Sequence, residues 1–272
     1  MMSNYPQQFK LTGKVALISG AATGIGAAVS EALGQCGATV VFTDRDQAAG
    51  EQQLAALQAA GIDALFIQQD VTLEEDWQRV AATVDERFGR LDILVNNAGI
   101  LTSATIEELT LDSFRQVQAV NVEGVFLGSK HCLALLKKYA SPEERSSIIN
   151  LSSLAGLQGP AMMTAYSTSK GAVRLMTKAM ASELGPVHVR VNSVHPGLIN
   201  TNMGDQVQDL LIARYGLGSR EEAEAFECQM TPLRSYGAPS DVAAAIVFLA
   251  SSASNFISGS ELMVDGGIFG CQ

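Results

Sequence analysis

The sequence predicts an α/β fold: one doubly wound parallel sheet whose buried strands alternate with helices on both faces. Three observations carry that prediction. Short apolar runs at residues 14–19, 91–95 and 148–151 lack a regular polar alternation, as strands covered on both faces do. Segments with apolar residues three and four apart lie between such runs. The first run passes into a glycine-rich turn, Gly20-Ala-Ala-Thr-Gly24-Ile-Gly26, and then into a helix, which is the start of a βαβ unit.

In order, residues 1–10 lack the charged and apolar regions of a secretory signal and read as a cytoplasmic lead-in. Residues 14–19 are the first strand. Glycines in the turn after it permit a tight bend and a close approach of pyrophosphate to helix N–H groups. The spacing G-x-x-x-G-x-G departs from the common G-x-G-x-x-G, and an isolated glycine turn is as readily structural. Residues 27–36 have helical character, with Gly37 as C-cap. The second strand, 38–43, ends at Asp44, eighteen residues after Gly26. A carboxylate there accepts hydrogen bonds from adenosine ribose hydroxyls and favours NAD over NADP. Arg45 points the other way, because a guanidinium can hold a 2′-phosphate.

A helix over 47–60 and a strand over 62–69 follow, the latter ending at Asp70-Val71. A helix over 77–88 then leads to the fourth strand, 91–95, and to Asn96-Asn97-Ala98-Gly99. Residues 110–138 read as one long helical region containing Asn121, a residue that is locally unfavourable in a helix because its amide competes with the backbone. Residues 141–147, with Pro142 and three charges, read as a surface loop.

The run Ile148, Ile149, Leu151 is a buried strand whose end delivers the Ser153 hydroxyl into a crevice. Residues 165–184 have a helical apolar period, so Tyr166 and Lys170, four apart, leave one face. A free phenol titrates near ~10, and an ammonium one turn away favours the phenolate, which makes Tyr166 a usable acid/base. The bare Y-x-x-x-K spacing is more often an ordinary surface pair. A strand over 187–194, the loop His195-Pro-Gly-Leu-Ile-Asn-Thr201, a mixed amphipathic stretch over 203–228, a helix over 241–250, a strand over 261–264 and the turn Asp265-Gly266-Gly267 complete the chain. His195, between a valine and a proline at a strand end, reads as structural.

With the serine, the glycine turn and the Asn-Asn-Ala-Gly quartet beside Tyr166 and Lys170, the chain resembles the short-chain dehydrogenase/reductase family over nearly its whole length. The resemblance implies a Rossmann-type sheet of seven strands in the order 3-2-1-4-5-6-7. It implies Tyr166 as catalytic acid/base, Lys170 tuning it and binding the nicotinamide ribose, and Ser153 positioning the substrate oxygen. Asn121 would be a fourth catalytic residue, holding a water that links Lys170 to solvent. Cofactor contacts are implied for Gly20, Thr23, Gly24, Ile25 and Gly26, for Asp44, Asp70 and Val71, for Asn97, Ala98 and Gly99, and for Pro196, Gly197, Ile199 and Thr201. A surface capping role is a second reading of Asp70. Residues around 200–230 would form a mobile flap over the substrate. A homotetramer is implied, through the faces of residues 110–138 and 165–184 and through residues 260–272.

The reaction so implied is NAD-dependent interconversion of a secondary alcohol and its ketone. Ser153, Leu154, Tyr166, Leu198 and Met203 are the expected substrate contacts, with Leu157, Met162, Val207, Leu210 and Leu211 near them by analogy. This apolar set points to a hydrophobic alcohol, with hydroxysteroids and cyclic or aromatic alcohols as examples. The ending Ser258-Gly-Ser-Glu-Leu262 is also similar to that of bacterial hydroxysteroid dehydrogenases. A 3-oxoacyl thioester reductase is the competing enzyme; Asp44 and an acidic surface that would repel an acidic carrier protein stand against it. A non-catalytic nucleotide-sensing protein is the other rival, and the complete set Asn121, Ser153, Tyr166 and Lys170 stands against that.

A formal charge of −10 without a cluster of lysines and arginines argues against nucleic acid or an anionic membrane as partner. The longest apolar run, residues 242–250, falls far short of the roughly 20 residues that span a bilayer. Cys36, Cys132, Cys228 and Cys271 show no metal-ligand spacing to one another or to His131, His188 and His195, so reduced thiols and no metal are expected. No linker-like or repeated stretch interrupts the chain, and residues 1–272 read as a single catalytic domain.

Overall fold

The computed structural model describes residues 5–271; the first four residues of the N-terminal lead-in, and Gln272 at the end of the expected C-terminal interface, lie outside the described residues. A short helix α1 (Tyr5–Gln8) leads into β1 (Val15–Ser19), α2 (Gly24–Gln35), β2 (Thr39–Asp44), α3 (Gln47–Ala59), β3 (Ala64–Gln68), α4 (Glu74–Phe88) and β4 (Ile93–Asn96). The chain continues through α5 (Leu111–Gln118), a π-helical turn (Ala119–Glu123), α6 (Gly124–Lys138), β5 (Ser146–Leu151) and α7 (Thr164–Leu184). After these come β6 (Val189–Pro196), α8 (Asn202–Tyr215), α9 (Arg220–Met230), α10 (Pro239–Ala250) and β7 (Glu261–Val264).

The seven strands are all parallel, in the order β3-β2-β1-β4-β5-β6-β7. Strand order reverses between β1 and β4, which opens a crevice beyond the carboxyl ends of the strands. Because successive strand side chains point to opposite faces, each central strand feeds two cores. Ala16 and Ile18 of β1 and Ile93 and Val95 of β4 meet Val29 and Leu33 of α2 and Val242 and Ile246 of α10 on one face. Leu17 and Leu94 meet Trp77, Val80 and Val84 of α4 and Leu135 and Leu136 of α6 on the other. That two-sided burial is why these strands read as unbroken apolar runs.

The structure corrects several expected boundaries. Residues 110–138 are not one α-helix, since the π turn interrupts it at Asn121. The cause lies outside the segment: the Asn121 side chain accepts from Ile100 N at 2.8 Å and donates to Ile100 O at 3.0 Å and Ser169 Oγ at 2.9 Å. The mixed stretch 203–228 resolves into α8 and α9, separated where Gly216 takes a left-handed φ of 66° and Ser219 caps the next helix by accepting from Glu222 N. β6 begins two residues later than expected and includes Pro196, because a 3-10 turn (Gly185–Val187) and a left-handed His188 precede it. The helix expected over 77–88 starts at Glu74, with three acids in its first turn matching the positive helix end. The expected loop 141–147 yields its last two residues to β5, and the N-terminal lead-in contains α1.

Candidate active site

The ends of β1, β2, β4, β5 and β6 border a cleft of about 1330 Å³. Its floor is the glycine turn. A Cβ on Gly26 would stand 2.6 Å from Asn97 Nδ2 and 2.7 Å from Ala21 Cα, so only glycine lets α2 sit this close to the strand ends. Asn97 secures the same corner, donating to Ser19 O at 3.0 Å and Gly20 O at 2.7 Å, while Ser19 Oγ accepts from the backbone N–H groups of Asn97 and Ala98. At the end of β2, Asp44 accepts from Ala22 N through one carboxylate oxygen and from Asp46 N through the other, both at 3.1 Å. Each oxygen has a second lone pair to offer a ligand hydroxyl. Asp70 lines the cleft and accepts from Thr72 N and Oγ1. Trp77 Nε1 donates to Val71 O at 2.9 Å and anchors the turn after β3.

At the centre, a 3-10 turn (Leu154–Gly156) after β5 presents Ser153, whose Oγ accepts from Ala155 N at 3.1 Å. This turn lies against α7, which carries Tyr166 and Lys170, both nearly buried. Lys170 Nζ donates to Leu151 O at 2.7 Å and stands 5.6 Å from the centre of the Tyr166 ring. The Tyr166 hydroxyl contacts Met203 Sδ at 3.9 Å. Burial raises the Tyr166 pKa, with the Ser153 hydroxyl pulling the other way. Burial also drives Lys170 down, to about 8.

Every expected cofactor contact lines the cleft, as do Ser153, Leu154, Leu198, Met203, Val207, Leu210 and Leu211. Asn121 is fully buried behind the lining, with its amide bonded to Ile100 and Ser169. Leu157 and Met162 lie outside the lining; Met162 packs instead behind Tyr166, against the apolar cluster of Ala155, Met163, Tyr166 and Leu210. His195 bridges Ser153 O, at 3.1 Å from Nδ1, and Ser193 Oγ, at 2.8 Å from Nε2, and burial depresses its pKa. It braces the backbone that holds Ser153. Thr201 caps α8 by accepting from Gly204 N at 3.1 Å, and it lies over the glycine turn.

Sequence reasoning missed several lining residues. Gln69 is buried with both amide atoms unpartnered among the described residues, and Gln158, Glu227 and Tyr236 also reach the cleft. Their only signal was position beside a strand or helix end. Among the described residues there is no group of three or more metal-ligating side chains, and no helix is long and apolar enough to cross a membrane.

A family model described as "Enoyl-(Acyl carrier protein) reductase" matches residues 20–268. A cyclopentanol dehydrogenase from Comamonas testosteroni is 39% identical over 259 residues, covering 95% of this chain and 98% of that protein. An NADP-dependent (R)-specific alcohol dehydrogenase from Lentilactobacillus kefiri is 39% identical over 261 residues, covering 95% and 97%. A 3-alpha-(or 20-beta)-hydroxysteroid dehydrogenase from Mycobacterium bovis is 40% identical over 258 residues, covering 95% and 90%.

Proposed function

Since the chain belongs to the short-chain dehydrogenase/reductase family and is a nicotinamide-dependent oxidoreductase of secondary alcohols and ketones, we propose that its preferred cofactor is NAD and its substrate a hydrophobic, cyclic secondary alcohol or the matching ketone. The convergence of Tyr166, Lys170 and Ser153 in an apolar part of the dinucleotide cleft carries this reading. The residues present fit the cofactor: a glycine floor that a single Cβ would fill, and a carboxylate with open lone pairs at the end of β2. Gly20, Thr23, Gly24, Ile25 and Gly26 would cradle its phosphates, Asp44 its adenosine ribose, and Lys170 and Thr201 its nicotinamide half. When bound, the nicotinamide supplies the hydride acceptor or donor.

In this proposal Ser153 holds the substrate oxygen and Tyr166 moves the proton. As phenolate it takes the hydroxyl proton during oxidation; as phenol it returns it during reduction. Lys170, already close to the ring, supports the charged form, and Asn121 holds the surrounding backbone through Ile100 and Ser169. α8 and α9 form the substrate-covering flap of one catalytic domain. Asp44 supports NAD because it would repel a 2′-phosphate; the NADP-dependent relative and Arg45, also in the cleft lining, make this the point to test. Steady-state assays on cyclic alcohols and ketones with both cofactors are decisive. We expect higher kcat/KM with NAD(H), and erosion of that preference by at least about tenfold in Asp44→Ala, worth ~1.4 kcal/mol. Equal or better turnover of wild type with NADP(H) overturns the cofactor choice. Activity confined to acyl thioesters overturns the substrate class.

A further inference from the structure

Helix α9 holds four glutamates, and three of them behave as its amphipathic pattern demands. Glu221, Glu222 and Glu224 are exposed. Glu227 is not: it shares the inward face with Ala223, one turn earlier, and only 1% of its surface is accessible. It lines the cleft that Tyr166 also lines. Its Oε2 is sealed from solvent and has no hydrogen-bond partner among the described residues.

An unpartnered buried carboxyl destabilises a folded chain, and a fold has no need of one. The packing of α9 on α8 is served by other charges, since Arg220 pairs with Asp209 at 2.9 Å and with Asp205 at 3.9 Å on the outer surface. Glu227 therefore has a cost and no visible structural return.

We propose that Glu227 is a substrate-recognition residue, whose carboxyl takes a hydroxyl carried by the substrate at the end remote from the carbon that reacts at Tyr166. The substrate class narrows to secondary alcohols with a second hydroxyl across an apolar ring system, or their hydroxyketones. A neutral hydroxyl suits this wall better than an ammonium. Burial together with the charge of Glu224 raises the Glu227 pKa to about 7, where the carboxyl is half neutral and can donate to a hydroxyl as well as accept from it.

The inference rests on the alcohol dehydrogenase reading, and its test separates the two. The probes are cyclic secondary alcohols of one, two and four fused rings, each with and without a hydroxyl on the far side, plus 4-aminocyclohexanol. We expect wild type to favour the diol of matching length by about tenfold or more in kcat/KM, a difference of ~1.4 kcal/mol. Glu227→Leu should abolish or invert the preference, Glu227→Gln should keep part of it, and ligand-free Glu227→Leu should melt no lower than wild type. A diol preference unchanged within about twofold in Glu227→Leu overturns the role of Glu227 alone. So does a lower melting temperature for the leucine variant, which marks a structural residue, and so does a preference for the amino alcohol. No turnover of any alcohol with either cofactor sinks the alcohol reading itself.

Discussion

Tyr166 and Lys170 share one helix face, yet burial moves their proton affinities in opposite directions, raising the phenol and lowering the ammonium to about 8. The lysine value is a stability statement. The unfolded chain holds that proton up to the ordinary lysine value of 10.5, so between about 8 and 10.5 it binds more protons than the folded state, and folded stability rises with pH across that window. Lys170→Met removes this dependence. Melting curves should show the wild type gaining on the variant from pH 8 to pH 10, and a constant difference would mean that Lys170 is not desolvated. Tyr166→Phe keeps the ring, its packing beside Met203 and Leu210, and the cleft wall. We expect kcat to fall by on the order of 10²–10⁴-fold with the cofactor dissociation constant, read by nucleotide fluorescence, nearly unchanged. Activity within about tenfold of wild type rejects Tyr166 as the proton carrier. Their shared face was legible because a four-residue spacing on a helix is a local fact, whereas their roles came with the resemblance to the family. Their electrostatics were not legible, since desolvation depends on what the rest of the chain places over them.

Among elements, the contact between α7 and the 3-10 turn decides the geometry of the site, because each carries part of it. Gly156 makes the contact possible. A Cβ there would meet the carbonyl carbon of Lys170 at 2.7 Å and Ser152 Oγ at 2.8 Å. Gly156→Ala should therefore push the turn off α7, lowering stability by about 1–3 kcal/mol as an overpacked site does. It should also reduce kcat more than cofactor affinity, since Ser153 moves and the glycine floor does not. Thermal melts and cofactor titration check both parts, and an alanine variant as stable and active as wild type removes the contact from the account. The π turn at Asn121 makes the same point from the other side. Sequence spacing marks a helix through residues 110–138, but the bonds that create the extra residue come from Ile100 and Ser169. A local period cannot report them.

For the whole molecule, the outer faces are not uniformly polar. Leu111 of α5, Phe126 of α6 and Leu175 of α7 are each half exposed or more, and Phe269, within the expected C-terminal contact segment 260–272, is also exposed. We propose that these expected contact surfaces close a homotetramer with two-fold symmetries. Light scattering at micromolar concentration should give about four times the chain mass of 28.7 kDa. Phe126→Glu with Leu175→Glu should lower it. A monomeric mass for the wild type rejects the assembly.

The order of strands and helices, the glycine turn and the shared face of Tyr166 and Lys170 were readable from the sequence because each is a matter of spacing or residue type within one element, and the resemblance to the family added the roles expected of Asp44, Ser153, Tyr166 and Lys170. The two-sided burial of the central strands was readable too, as unbroken apolar runs. Tertiary structure alone decided which side chains reach the cleft. It excluded Leu157 and Met162, admitted Gln69 and Glu227, placed Asn121 behind the wall and tied His195 to Ser153 O. The physical reason is that burial, partner and pKa belong to pairs of elements far apart in sequence, whereas the pattern within one element records only which of its faces is apolar.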